Sequence, residues 1–212
     1  ENCILSGFDV IWSSVVPKKL TKIKKTVCKA KPRKILEAGR NLPVPLRHRY
    51  RPAKKLGIDR LVNLYGAREL YGSPVLVLDY GTAITADYVS KKGIFEGGMI
   101  IPGPEISFQA LLDRAALIPK KLRLPHKSGA FLGKSTYDCM RSGILQGFGS
   151  LTDGLITRFR KRYGKNMRVI ATGGFTANIR PFIQAKYTYD PRLSVKSLRA
   201  LYLNHPFYTP GV

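Results

Sequence analysis

The 212-residue sequence is short of cysteine and of acid. Its three cysteines, Cys3, Cys28 and Cys139, stand far apart with no CxxC pair. That leaves neither a disulfide framework nor a thiolate zinc site, and it suits a reducing, cytoplasmic location. Each thiol reads as a small buried apolar group. Only 13 residues are Asp or Glu, against 37 Lys or Arg, so the net charge is +24. The missing acid points to anionic partners: nucleic acid, an acidic membrane surface or a phosphorylated small molecule. No apolar run approaches the ~20 residues that cross a bilayer, so no membrane span is expected. The chain does not open on a basic segment followed by an apolar signal core. Neither GxxxxGK[ST] nor GxGxxG occurs, which removes the P-loop and the dinucleotide fingerprint. His48, His126 and His205 have no metal spacing. There is no initial Met, no internal repeat and no low-complexity tract.

What is present is an alternation of apolar segments with helical patterns. FDVIWSSVVP (8–17) reads as a buried strand ended by Pro17. A helix follows over 18–26, with Leu20, Ile23 and Val27 at helical spacing. The stretch KKLTKIKKTVCKAKPRK around it reads as a solvated basic face, with nucleic-acid binding as the functional alternative. LPVPLRHRYRP (42–52) holds three prolines and is extended or looped. Leu61, Leu64, Tyr65 and Leu70 predict a helix over 59–71 that Gly72, Ser73 and Pro74 stop. Strands are predicted at 75–80 and 84–90, then at 94–103, where a glycine pair breaks the strand, and at 167–174. Helices are predicted at 104–114, 135–163, 176–184 and 194–203. Strands precede helices throughout, which makes the class α/β. A domain boundary is drawn at Gly72–Pro74, giving residues 1–73 and 74–212.

Three strand ends carry glycine: DYGTA (79–83), EGGMIIPG (96–103) and ATGG (171–174). Glycine lets a backbone come close to a ligand, and successive N–H groups in such turns form hollows for anions. A threonine hydroxyl adds a donor. An aspartate at the strand end can hold a cation that offsets phosphate charge. Any one of these is equally a plain turn; three together suggest a phosphate site.

In order, DYGTAITADYV, EGGMIIPG, LGKSTYDCMRSGILQG and VIATGGF resemble type III pantothenate kinase, a family of the actin-like, sugar-kinase and Hsp70-like ATPase superfamily. SSVVP (13–17) and YRPAKKLGIDRLVNLYGA (50–67) match the same pattern, so the resemblance runs from about Phe8 to Asn204. It implies an actin-like, ribonuclease H-like two-domain fold. The family opens on a strand and a DxGNT-type turn for ATP phosphates, and no DxGN occurs here, so the first domain is expected to be incomplete. Ser197, in PRLSVKSLRALYLN, stands where the family usually has glycine.

The activity implied is ATP-dependent phosphorylation of pantothenate to 4′-phosphopantothenate, the first step toward coenzyme A. The resemblance makes Asp59, in Gly57-Ile58-Asp59-Arg60, the base; on the residues alone it reads as a helix N-cap, and both roles are compatible. Arg60 is implied to pair with the pantothenate carboxylate, where by itself it reads as a surface charge. Tyr50, nine residues before Asp59, fits a pantothenate-contacting position; packing is its alternative. Asp79 resembles the ligand of a monovalent cation, K+ or NH4+. Thr82 and Gly81 resemble ATP contacts, as do Gly97 and Gly98 and the Gly173-Gly174 pair, which would let nucleotide lie on the main chain. Thr136 resembles a substrate contact reaching in from a second subunit, so a homodimer is implied; a helix cap is its plain reading. Mg2+ is expected with ATP, with no protein ligand for it. The alternative function is a non-catalytic, kinase-like protein that binds nucleic acid or acts as a transcription accessory factor.

Overall fold

The computed structural model describes residues 8–14, 25–114, 124 and 130–205. Two sheets form among them. β1 (Asp9–Trp12) and β2 (Lys34–Glu37) pair in parallel, and five further strands form a mixed sheet. These are β3 (Val75–Tyr80), β4 (Ala83–Val89), β5 (Phe95–Pro102), β6 (Arg168–Thr172) and β7 (Thr188–Tyr189), in the order β5-β4-β3-β6-β7. β3 runs antiparallel to β4 and parallel to β6. The helices are α1 (Ile58–Tyr71), α2 (Pro104–Arg114), α3 (Thr136–Tyr163), the one-turn α4 (Thr176–Ile179) and α5 (Leu193–Leu203). The class is α/β, as the alternation of patterns implies.

Strand side chains alternate between faces, and here the alternation sorts the layers. Leu76, Leu78 and Tyr80 of β3, with Ile84, Ala86 and Tyr88 of β4, pack under Leu145, Phe148 and Ile156 of α3. Val75 and Val77, with Val89, face the opposite way, toward Val62, Leu64 and Tyr65 of α1 and Leu201 of α5. Asp79 and Asp87 follow the same parity, so β3 and β4 direct both carboxylates to the α1 side. The hairpin pairs Asp79 with Thr85 and Val77 with Asp87.

Several expectations shift. Residues 94–103 are not broken at the glycine pair: β5 runs unbroken through Gly97 and Gly98, and the ladder absorbs a bulge between Tyr88 and Val89. Gly97 and Gly98 therefore belong to a strand, not to a strand-end turn. The helix expected over 176–184 ends at Ile179 and tightens into a 3-10 turn, Arg180–Phe182; Pro181 has no N–H to continue the ladder. Cys28 and Cys139 are exposed, not buried, and the Cys139 thiol donates to the Gly133 carbonyl at 3.4 Å. Cys3, and most of the helix expected over 18–26, lie outside the described residues.

At the crossing of α1 and α5, Gly66 lies against Ser197: a Cβ on Gly66 would meet Ser197 Oγ at 1.8 Å. The serine is accommodated because the facing helix has no side chain there. Its hydroxyl is buried without a partner, and an unmet buried hydroxyl costs roughly 1–3 kcal/mol. Ser197→Ala should therefore raise the stability to denaturant by ~1 kcal/mol; a loss would show that the hydroxyl is used.

The same helix pair is tied again close by, where α1 ends and α5 begins. Tyr71 O–H donates to Asp190 at 2.6 Å and Lys196 Nζ donates at 2.8 Å. Burial raises the Asp190 carboxyl, but the bonds from Lys196, Tyr71 and the Arg192 N–H outweigh it and hold it below its ordinary value. Burial first, then the bond to Asp190, pushes Tyr71 up to about 12. A phenol raised on folding stabilises the fold below its ordinary pKa near 10, and that contribution drains away as the pH climbs toward 12. Thermal midpoints followed from pH 9 to 12 should fall less steeply in Tyr71→Phe than in the wild type.

Candidate active site

The site begins with the entry to α1. Gly57 is the N-cap and offers no side chain, so Asp59 sits in the first helical turn, not at the cap position. Its Oδ1 accepts the Arg60 N–H at 2.8 Å, and its carboxylate is exposed. A negative charge there is favoured by the helix dipole. Four residues on, at one helical turn, Asn63 is buried and donates its Nδ2–H to Asp79 Oδ2 at 3.1 Å. Its Oδ1 is buried without a partner.

Asp79 lies at the end of β3. Burial drives its carboxyl above the usual range, the charges of Asp59 and Asp87 push the same way, and the Asn63 amide only partly opposes them. Three carboxylates thus share one field under the start of α1. The third, Asp87, takes Arg60 Nε at 3.0 Å and Nη2 at 2.5 Å. Hydrogen bonding to Asp87 raises the guanidinium pKa, overriding burial. Arg60 also lies over the rings of Tyr50 and Phe95, 5.3 Å and 5.8 Å from their centroids. A cavity of about 420 Å³ elsewhere is lined by β1 and α5, whereas one of about 640 Å³, lined by His48, Arg49, Tyr50, Arg51 and Ala53, adjoins this group through Tyr50.

The glycine turns gather at one end of the large sheet. β3 and β6 are parallel, so Gly81 and Gly173 follow neighbouring strand ends. Ala83 pairs with Pro102, which brings the end of β5 to the same rim. There Gly103 N–H donates to the Thr82 carbonyl at 3.2 Å. Gly103 takes the position that the sequence reading gives to the Gly97-Gly98 pair. Gly173 has φ +97, and a Cβ on it would stand 2.5 Å from Asp79 Oδ1. Thr82 is exposed at the hairpin tip.

The structure thus gathers Tyr50, Gly57, Asp59, Arg60, Asp79 and Gly173, with Gly81 and Thr82 on the adjoining hairpin. Gly98 enters from β5, opposite Asp87. Thr136 is elsewhere: it is exposed in the first turn of α3, across the sheet from α1, and the cap of that helix is Ser135, whose Oγ accepts the Asp138 N–H at 3.1 Å. Asn63 and Asp87 were missed by motif reading. Their signals were spacing alone: one helical turn after Asp59, and the strand parity shared with Asp79. Among the described residues no group of three or more His, Cys, Asp or Glu is placed to hold a metal, and no helix is long and apolar enough to cross a membrane.

The arrangement thus places an exposed carboxylate at a helix N-terminus, a second one behind it and glycine-edged loops on one rim. A family model described as type III pantothenate kinase matches residues 2–158. The chain belongs to the type III pantothenate kinase family. The enzyme of that name from Persephonella marina is 36% identical over 197 residues, covering 93% of this chain and 76% of the relative. That of Moorella thermoacetica is 36% identical, covering 91% and 75%. In three dimensions, a solved structure titled as a conserved putative Baf family transcriptional activator from Campylobacter jejuni is similar with a TM-score of 0.57 at 20% identity, covering 93% of this chain and 83% of that one. This last likeness speaks to the fold alone. The type III family is one of kinases.

Proposed function

We propose that the chain transfers the γ-phosphoryl group of ATP to the primary hydroxyl of pantothenate, giving 4′-phosphopantothenate, with Asp59 as the base. The observation that carries this reading is the exposed Asp59 carboxylate at the start of α1, set in the same field as Asp79. Little covalent chemistry is required of the protein in such a transfer; it must place the alcohol in line, accept its proton and spread the phosphate charge. Asp59 accepts the proton. Arg60 and Tyr50, with Gly57 and Ile58 shaping the helix entry, hold the acceptor. Gly81, Thr82 and Gly173 lie along the nucleotide, Gly98 makes room for Asp87 instead, and Thr136 completes the pocket of a second subunit in a homodimer. The exposed Met99 and Ile100 of β5, with Ile106, Phe131 and Leu132, support an apolar face for that contact. A non-catalytic, nucleic-acid-binding role is not favoured, since the relatives at 36% identity are named as kinases.

The donor set fits a monovalent cation. Asp79 is a half-buried carboxylate with like charges beside it, and the unpartnered Asn63 Oδ1 is a neutral oxygen next to it. A bound K+ or NH4+ supplies positive charge that offsets repulsion between this carboxylate and phosphate oxygens. Mg2+ enters with ATP. An acid whose pKa is raised on folding weakens the fold as the pH rises past its ordinary value. Potassium should therefore raise the thermal midpoint saturably at pH 7, and Asp79→Asn should abolish that response while keeping or raising the midpoint in its absence.

The function itself is tested by coupled detection of ADP with ATP, Mg2+ and K+. ADP release that depends on pantothenate is expected. Absence of pantothenate-dependent release overturns the proposal.

A further inference from the structure

The proposed transfer leaves one buried group of the site without a task. Asp87 has a side chain only 3% exposed, and it faces an Arg60 side chain that is 11% exposed. A guanidinium has two edges that can each meet a carboxylate: Nε with one terminal nitrogen, and the two terminal nitrogens together. Asp87 occupies the first edge through Nε and Nη2. Tyr50 is a further hydrogen-bonding partner of the guanidinium, so Asp87 and Tyr50 together set its orientation.

The surroundings are shaped to hold this arrangement. Strand parity delivers Asp87 beneath α1, and its ladder partner in β5 is Gly98. A Cβ on Gly98 would fall 1.8 Å from Asp87 Oδ1 and 2.8 Å from the Ala86 carbonyl. Only a residue without a side chain leaves room for that carboxylate. The stacked Tyr50 and Phe95 rings, 13° from parallel, floor the guanidinium and limit its tilt. Tyr50 in turn lines the cavity that also holds His48, Arg49 and Arg51.

We propose that Asp87 is a positioning residue: it fixes Arg60 before substrate arrives, so that the guanidinium N–H groups it leaves unfilled, beside Tyr50, receive the carboxylate of the acceptor and the site selects a carboxylate-bearing acceptor over a neutral one. This rests on the reading of Arg60 as the acceptor's carboxylate contact. Asp87 cancels the charge of Arg60 rather than adding attraction. Its effect is therefore on orientation: a guanidinium already held at one edge loses little freedom when its unfilled N–H groups are met.

The test is calorimetric binding of pantothenate and of pantothenyl alcohol, which lacks the carboxylate, to wild type and to Asp87→Asn. Wild type should prefer pantothenate by about tenfold or more, as expected when a charged hydrogen-bonded pair is lost. In Asp87→Asn that preference should collapse toward unity because pantothenate weakens, while the affinities for the alcohol and for ATP stay unchanged. Retention of the preference in the variant, or equal weakening of both ligands, overturns the proposal while leaving the kinase reading intact. Failure of wild type to bind pantothenate at all sinks the kinase reading, and this inference with it. Should Asp87→Asn not fold, the Arg60 Nε–H of ligand-free wild type decides by NMR. Slow exchange and hindered rotation about Nε–Cζ are expected without substrate; a freely rotating guanidinium overturns the proposal.

Discussion

Asp59→Asn lowers the turnover number by about 10²–10⁴-fold, ~3–5 kcal/mol of transition-state stabilisation, the range expected when a general base is removed. The affinity for pantothenate should remain within about threefold of wild type, because amide and carboxylate differ little in shape and Arg60 stays paired to Asp87. The fold should lose only ~0.3–1 kcal/mol, the contribution of a charge in the first turn of a helix. The measurements are steady-state ADP release, calorimetry and thermal melting on the same preparation. Turnover and binding falling together, with the melting point, would assign Asp59 a structural role instead. A second readout is independent of catalysis. The Asp59 charge helps to raise the Asp79 carboxyl, so neutralising it should let Asp79 ionise at lower pH, which carboxyl-carbon NMR can follow.

The second large effect separates two adjacent glycines. Gly173→Ala should destabilise the protein by about 3–5 kcal/mol, combining ~1–3 for a side chain at positive φ with ~1–3 for overpacking. The new methyl would lie 2.5 Å from both Asp79 Oδ1 and Tyr80 N, with φ at +97. The Tyr80 main chain sits in the middle of a five-stranded sheet and has no room to yield. The melting point should fall by roughly 10 °C, taking ~2–4 °C per kcal/mol for a domain of this size, and the stabilisation by potassium should disappear with the displaced Asp79. Gly174→Ala is the control, since nothing lies within 4 Å of its would-be Cβ; its melting point should move by less than about 2 °C, an ordinary surface effect. Equal effects at both positions would show that the loop tolerates a side chain at Gly173 by moving, and that the contact with Asp79 is not constrained.

Much of the fold was written in short-range pattern. The helical period of Leu61, Leu64 and Tyr65 fixed α1 to within a residue, and the apolar run before Asp79 fixed β3. Patterns failed where an element was too short for a period to register. β7 is Thr188–Tyr189 and β2 is Lys34–Glu37 inside a lysine-rich stretch; pairing with neighbours, not composition, makes them strands. Gly97 and Gly98 misled because glycine usually ends a strand. Here Gly98 is required by a carboxylate across the ladder, a contact visible only once the register is known. The site shows the same division. Asp59, Arg60 and Asp79 were legible through motifs. Asn63 and Asp87 were not, because an asparagine in a helix and an aspartate in a strand have no meaning until α1 is laid over β3 and β4.

The hairpin joining β3 to β4 has a further implication for how this chain can vary. Its link is just Gly81 and Thr82, and the two acidic strand residues it separates must emerge on the same side of the pleat. One extra amino acid in that link that slipped the pairing by a single step would turn Asp87 into the greasy layer around Tyr88 and hand its place to an aliphatic neighbour. Length changes at this tip, although it is open to solvent, are therefore compatible with the site only where they leave the pairing step unchanged.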